Sequence, residues 1–163
     1  VNVAAIIVDP NVFVTGEGSG PMSIECARAV FRFVVKLQET NDRLAVDDRY
    51  RMFREYRYNL NPQDAAWEIL NLLENQNRVD WTHVEFDTDG DAIVPPHCAV
   101  HDRADRKLVA VSLTHEDHPP IYNVSDEDWL EDEGIMFQCG VRVIHLCEAE
   151  LRGKYQAKHS AKP

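Results

Sequence analysis

The run Asp102-Arg103-Ala104-Asp105-Arg106-Lys107 sets two carboxylates three residues apart, ahead of the apolar stretch Leu108-Val109-Ala110-Val111. An acid in the first turn of a helix is stabilised in its ionised form by the helix dipole and projects from the element's end. Such an acid is either an ordinary N-cap or a metal ligand, and the pair alone favours the cap. Other acids decide whether more is implied. Asp9 closes the apolar run Val3-Ala4-Ala5-Ile6-Ile7-Val8, and Asp126 follows Ile121-Tyr122-Asn123-Val124 by two residues. Asp9 alone reads equally as the first half of an Asp-Pro turn, and Ser125 or Asp126 as the cap of a short helix. Glu55 lies on a helical stretch among Arg51, Arg54 and Arg57, with Tyr50 and Tyr58 nearby. This is either a solvated face laced with ion pairs or a face that turns Glu55 toward the Asp9 end while its arginines meet phosphates and its tyrosines meet bases.

The elements that must position these acids follow from the apolar patterning. Val3 to Val8 and 121–124 are continuous and rich in β-branched or aromatic residues, the signature of strands buried on both faces of a parallel sheet. Further strands are expected at 44–47, within 79–86, and at 141–146. Helices are expected near 22–38, 48–60, from about 64 to 75, from Asp105 to about Thr114, and after Asp126. Thr15 to Pro21 reads as a flexible loop. It lacks the GK[ST] of a Walker loop and does not begin directly at a strand end, so it is not a phosphate cradle. Asp87-Thr88-Asp89-Gly90-Asp91 resembles the start of a calcium loop, but Cys98 stands where the EF-hand requires Glu, so it reads as an exposed acidic turn.

Alternating strands and helices, with no internal repeat, predict one α/β domain over 1–150, a mostly parallel sheet flanked by helices in three layers. A polar, basic tail with Lys154, Lys158 and Lys162 is expected to fray over 151–163. At 163 residues with 44% hydrophobic and 28% charged content, the chain suffices for a single buried core. The net charge of −11 excludes coating of nucleic acid by bulk positive potential, but not a carboxylate-built site that holds cations. No segment has the apolar length of a membrane span, and the start has no basic-then-apolar leader. Cys26, Cys98, Cys139 and Cys147 show no CxxC spacing and are expected as buried free thiols in a reducing cytoplasm, ahead of disulfides or a zinc site.

A parallel sheet gathers the C-terminal ends of its strands on one edge, the edge where such folds bind ligands. Asp9, Glu55, Asp105 and Asp126 brought together there would repel one another unless cations were bound. Oxygen ligands without His or Cys suit Mg²⁺ or Mn²⁺, ions that acidify water and stabilise charge on a phosphoryl group.

The order Val8-Asp9-Pro10-Asn11-Val12-Phe13, Glu55-Tyr56, Asp105-Arg106-Lys107-Leu108-Val109-Ala110, Asp126-Glu127-Asp128-Trp129-Leu130 and a closing Gly140-Val141-Arg142-Val143-Ile144 resembles a PIN domain over about residues 3–147. Val124 stands where that family often has Thr or Ser. The resemblance implies a metal-dependent endoribonuclease, using Mg²⁺ or Mn²⁺, that cuts single-stranded RNA to a 5′-phosphate and a 3′-hydroxyl. Its metal-site acids would be Asp9, Glu55, Asp105 and Asp126, with Asn11 and Asp128 in support and Asp102 as an upstream acid. Arg51, Arg54, Arg57, Arg103 and Lys107 are the candidates for phosphate contacts. It also implies a possible homodimer and a restraining protein partner, such as an antitoxin or a defence-system sensor. The alternative is a PIN-like module that no longer cuts and acts by binding RNA or protein. A phosphatase of the haloacid dehalogenase type is disfavoured, because Asn11 stands where it needs a second Asp.

Overall fold

The computed structural model describes residues 3–160. Lys162 of the basic tail lies outside them. The chain runs β1 (Ala5–Val8), α1 (Pro10–Gly16), α2 (Ile24–Lys36), β2 (Arg43–Asp47), α3 (Arg51–Asn59), α4 (Ala65–Asn75) and β3 (Val79–Thr82). Two 3₁₀ turns, Pro96–Cys98 and Arg103–Asp105, lead into α5 (Arg106–Thr114). Then come β4 (Ile121–Asn123), α6 (Asp128–Glu131), α7 (Glu133–Cys139), β5 (Val143–His145) and α8 (Glu148–Ser160).

The five strands form a sheet in the order β3-β2-β1-β4-β5, and every pairing is parallel. β1 is buried along its whole length, which is why its sequence is apolar without alternation. Helices cover the sheet in a three-layer α/β/α arrangement: α1 packs on α2 and α3, α2 on α4, and α5 lies against β1, β2 and β4. The chain leaves β1 in one direction to build β2 and β3, then returns to place β4 on the other side of β1. The β1/β4 boundary is therefore the topological switch point, where a crevice opens at the strand ends.

Several expectations are revised. Residues 10–16, unassigned or given to the Gly-rich loop, form α1; Asp9 as N-cap with Pro10 at the first helical position is a start signal visible in the sequence. Glu17, from that same loop, accepts from Ala66 N at 2.8 Å and so satisfies the start of α4. From Arg152 to Ser160 the tail continues α8 rather than fraying. Glu150 accepts from both N and Oγ of Ser23, the N-cap of α2, while Lys154 donates to Pro21 O at 2.6 Å and Leu151 is buried. These are contacts across the fold that local composition does not encode.

The cysteines are not free thiols: Cys26 is bonded to Cys147 and Cys98 to Cys139, with Cα separations of 5.9 and 5.6 Å. The pairings join residues 121 and 41 apart, so nothing in local spacing reveals them. The expectation of a reducing cytoplasm rested on free thiols and loses that support. Among the described residues no helix is long and apolar enough to cross a membrane.

Candidate metal centre

Asp9 directly follows β1 at the switch point and is 5% exposed. One carboxylate oxygen accepts from Asn11 N at 3.0 Å, capping α1, and the other accepts from the indole Nε1 of Trp129 at 2.9 Å. Asp105 is delivered by the 3₁₀ turn ahead of α5, and Asp126 by the loop after β4. One oxygen from each of Asp9, Asp105 and Asp126 falls within 4.8 Å of the other two.

The site's electrostatics follow from burial and like charge. Burial pushes the Asp9 carboxyl up to about 6, against the pull of the Trp129 and Asn11 donors, and the charges of Asp126 and Glu55 add to the rise. Asp105 is pushed up to about 8, first by burial and then by Asp9, Asp126 and Asp102, with Lys107 opposing. Burial also raises Asp126, although its carboxylate accepts from Asp128 N at 2.9 Å. The cluster thus holds protons near neutrality that a divalent cation would replace. All three groups are hard oxygen donors, the donor set that Mg²⁺ and Mn²⁺ take.

The remaining predicted residues occupy distinct places. Glu55 is near enough for its charge to raise Asp9 but is not one of the converging three; its Oε2 pairs with Lys107 Nζ at 2.7 Å. Asp102 caps the 3₁₀ turn, accepting from Ala104 N at 2.8 Å, so the local cap reading holds for it. Asp128 contributes its backbone N–H to Asp126, and burial raises its own carboxyl. Asn11 accepts from Val124 N at 3.1 Å and donates to Asn123 Oδ1 at 2.9 Å.

The basic residues divide similarly. Lys107 is 9% exposed and, besides Glu55, donates to Ala104 O at 2.6 Å. Arg57 lies over Trp67 and is held by Asn71 and Glu74. Arg103 pairs with Asp91 and Asp89, and Arg51 lies over the Phe86 ring and donates to Gly90 O. Arg54 donates to Tyr50 O at 3.3 Å and has no acidic partner among the described residues. Arg51, Arg54, Glu55, Arg103 and Lys107 line one pocket of about 360 Å³, from which Arg57 is absent.

Three residues that build the centre escaped the sequence reading. Trp129 was visible only as part of an acidic motif. Asn123, fully buried, accepts from Asn11 Nδ2 and Asp126 N, and donates to Asp126 O at 2.9 Å and His145 Nδ1 at 3.0 Å. It fixes the Asp126 loop to the Asp9 helix. Tyr56 donates to Val8 O at 2.6 Å and so fastens α3, with its neighbour Glu55, to the end of β1. A polar residue at the end of an apolar strand was the available signal for Asn123.

Asp47 offers a useful contrast. It also ends an inner strand and is fully buried, but its oxygens accept from Arg49, Arg51 and Met52 N–H groups, so it satisfies the first N–H groups of α3, whose N-cap residue is Tyr50. Position at a strand end does not separate a cap from a ligand; convergence with other acids does. Comparison with known protein families, curated proteins and solved structures finds no match.

Proposed function

We propose that this chain is a Mg²⁺- or Mn²⁺-dependent nuclease that hydrolyses phosphodiester bonds of single-stranded RNA. The observation that carries the reading is the convergence of Asp9, Asp105 and Asp126 at the sheet's switch point, with their oxygens within 4.8 Å. Three buried or half-buried carboxylates are costly to ionise together, so they retain protons near neutrality that a bound cation would replace. These acids would hold the ion, with Glu55 at the margin. When bound, such an ion activates water and stabilises the charge that builds on the phosphoryl group.

The chain's own residues supply position and charge. Trp129 and Asn11 hold both oxygens of Asp9, and Asn123 holds the loop that carries Asp126. Arg54, which lines the adjoining pocket and has no acidic partner among the described residues, would meet a backbone phosphate. The PIN-like order of motifs favours RNA as the substrate.

The test is cleavage of single-stranded RNA in Mn²⁺ by the wild type, Asp9→Asn and Asp105→Asn, alongside calorimetric titration of Mn²⁺. Cleavage and ion binding by the wild type, both lost in the variants, support the reading. Equal cleavage by all three would identify a contaminant, and absence of Mn²⁺ binding at millimolar concentration would leave a binding module without catalysis.

A further inference from the structure

Further along the same sheet edge, the rings of Tyr50 and Trp81 stack with centroids 4.3 Å apart and planes 24° from parallel, while remaining 50% and 39% exposed. Phe53, buried, supports both, at 5.5 Å from Trp81 and 6.3 Å from Tyr50. Tyr50 has a φ of 64°, a left-handed conformation that a bulky residue adopts only at a cost. The surrounding turn enforces it. Tyr50 N donates to Asp47 O, Asp48 N donates to Thr82 O at 2.8 Å, and the Asp48 carboxylate engages His83 Nδ1 at 2.8 Å. Strained backbone thus holds a large ring against a second ring at the surface, where hydrophobic burial alone does not account for it.

The charges beside this stack favour a polyanion. A groove lined by Arg49, Arg51, Arg54 and His83 runs past Phe86, with Glu85 and Asp87 also on its wall. Asp87 accepts from Asp89 N and Asp91 N, each at 2.9 Å, and keeps its charge, and Asp48 lies 3.9 Å from Arg49 Nε, which leaves Arg51 and Arg54 as the groove's arginines without a carboxylate partner among the described residues. Arg51 and Arg54 line both this groove and the pocket beside Glu55. Since β2 and β3 are the first and second neighbours of β1, the stack stands roughly 5–10 Å across the sheet from the strand that leads into Asp9.

We infer that Tyr50 and Trp81 form a stacking platform for unpaired bases of a single-stranded nucleic acid, whose phosphates pass over Arg51 and Arg54 toward the carboxylate cluster. The inference rests on the nuclease reading and adds to it where the strand lies and why it must be single. Aromatic faces bind bases of any sequence, and in a duplex those faces are covered.

Fluorescence anisotropy of the full chain in the cleavage-silent Asp105→Asn background, with Mn²⁺ present, tests it on three probes: a short labelled oligouridine, an abasic strand of equal length, and a duplex. Tyr50→Gly is the informative variant, because glycine accepts the left-handed φ and keeps the turn folded. Tyr50→Gly is expected to weaken oligouridine binding about tenfold while leaving abasic and duplex binding unchanged. Tyr50→Phe should restore the oligouridine affinity, and oligouridine should quench Trp81 emission, with Trp81→Phe identifying the signal. Equal losses on the oligouridine and abasic strands, or no loss on either, would overturn the platform. Base-dependent binding by a wild type that cuts nothing would retain the platform and remove the nuclease reading. Cleavage with Tyr50-independent binding would do the reverse.

Discussion

The indole of Trp129 donates to Asp9 across 120 positions of sequence, at 2.9 Å and out of contact with solvent. It gives a buried carboxylate a second fixed donor, which favours the ionised form against burial. Trp129→Phe keeps most of the packing and removes only the donor. The expected result is a loss of about 1–3 kcal/mol in urea unfolding and a still higher Asp9 proton affinity. Mn²⁺ affinity should accordingly fall more at pH 6 than at pH 8, measured by calorimetry. An unchanged affinity at both pH values would show that the indole packs without tuning the carboxylate.

The raised carboxyls set the pH dependence of stability. Asp105 titrates at about 8 in the folded chain against 3.8 for the ordinary group, so between these values the folded state holds a proton that the unfolded state has lost. Stability without metal must therefore decline as pH rises from about 4 to about 8. With EDTA, linkage from Asp105 alone implies a loss of about 3–4 kcal/mol between pH 5 and 8, which would lower Tm by roughly 6–16 °C. Mn²⁺ should reverse the decline at pH 8, and Asp105→Asn should flatten it. A Tm in EDTA that is constant, or that rises over this range, contradicts the proton-loaded cluster.

Glu55 and Asp105 should differ in kinetic weight. On the nuclease reading, because Glu55 stands outside the converging trio and pairs with Lys107, Glu55→Gln should reduce RNA cleavage by about tenfold, against a hundredfold or more for Asp105→Asn. Single-turnover rates at saturating Mn²⁺ make the comparison. Equal losses would place Glu55 among the direct ligands.

Asn123 joins the two halves of the centre, and Asn123→Ala strands several partners at once. A destabilisation of about 2–3 kcal/mol is expected in chemical denaturation. Weaker Mn²⁺ binding should accompany it, since the Asp126 loop loses its tie to Asn11. Normal metal affinity in the variant would mean that the loop holds its form without the amide.

Reduction of Cys98–Cys139 should act on the same centre through the backbone. The bond ties the 3₁₀ turn at Cys98 to the end of α7, upstream of the segment that delivers Asp105. The chain-entropy account allows up to about 4 kcal/mol for a loop of this length. A Cys98→Ser, Cys139→Ser variant should therefore unfold at lower urea and bind Mn²⁺ less tightly. Unaltered unfolding and affinity would show that packing alone secures the segment.

Much of the architecture is legible in the sequence because burial on both faces of a parallel strand leaves a local mark. Ala5 to Val8 and Ile121 to Asn123 read as inner strands for this reason, and the chain direction then gathers Asp9 and Asp126 on one edge. The division of labour among the charges is not legible. Whether Asp47 is a cap or a ligand, or whether Lys107 faces phosphate or Glu55, depends on partners remote in sequence. The disulfides are hidden for the same reason, since a thiol's apolar neighbours look alike whether or not a second thiol meets it. α1 is a different case: Asp9 and Pro10 were a start signal, overshadowed by reading the same pair as a turn.

The two disulfides are nested, with Cys98 and Cys139 lying between Cys26 and Cys147 in the chain. The outer bond closes most of the polypeptide into a covalent ring. A single backbone cut in the exposed turn at 87–91 would separate Asp9 and Glu55 from Asp105 and Asp126 along the backbone, yet leave the two pieces one molecule through Cys26 and Cys147. Proteolytic nicking at that turn would be silent until a reductant is added, when the halves of the carboxylate cluster would lose their covalent connection.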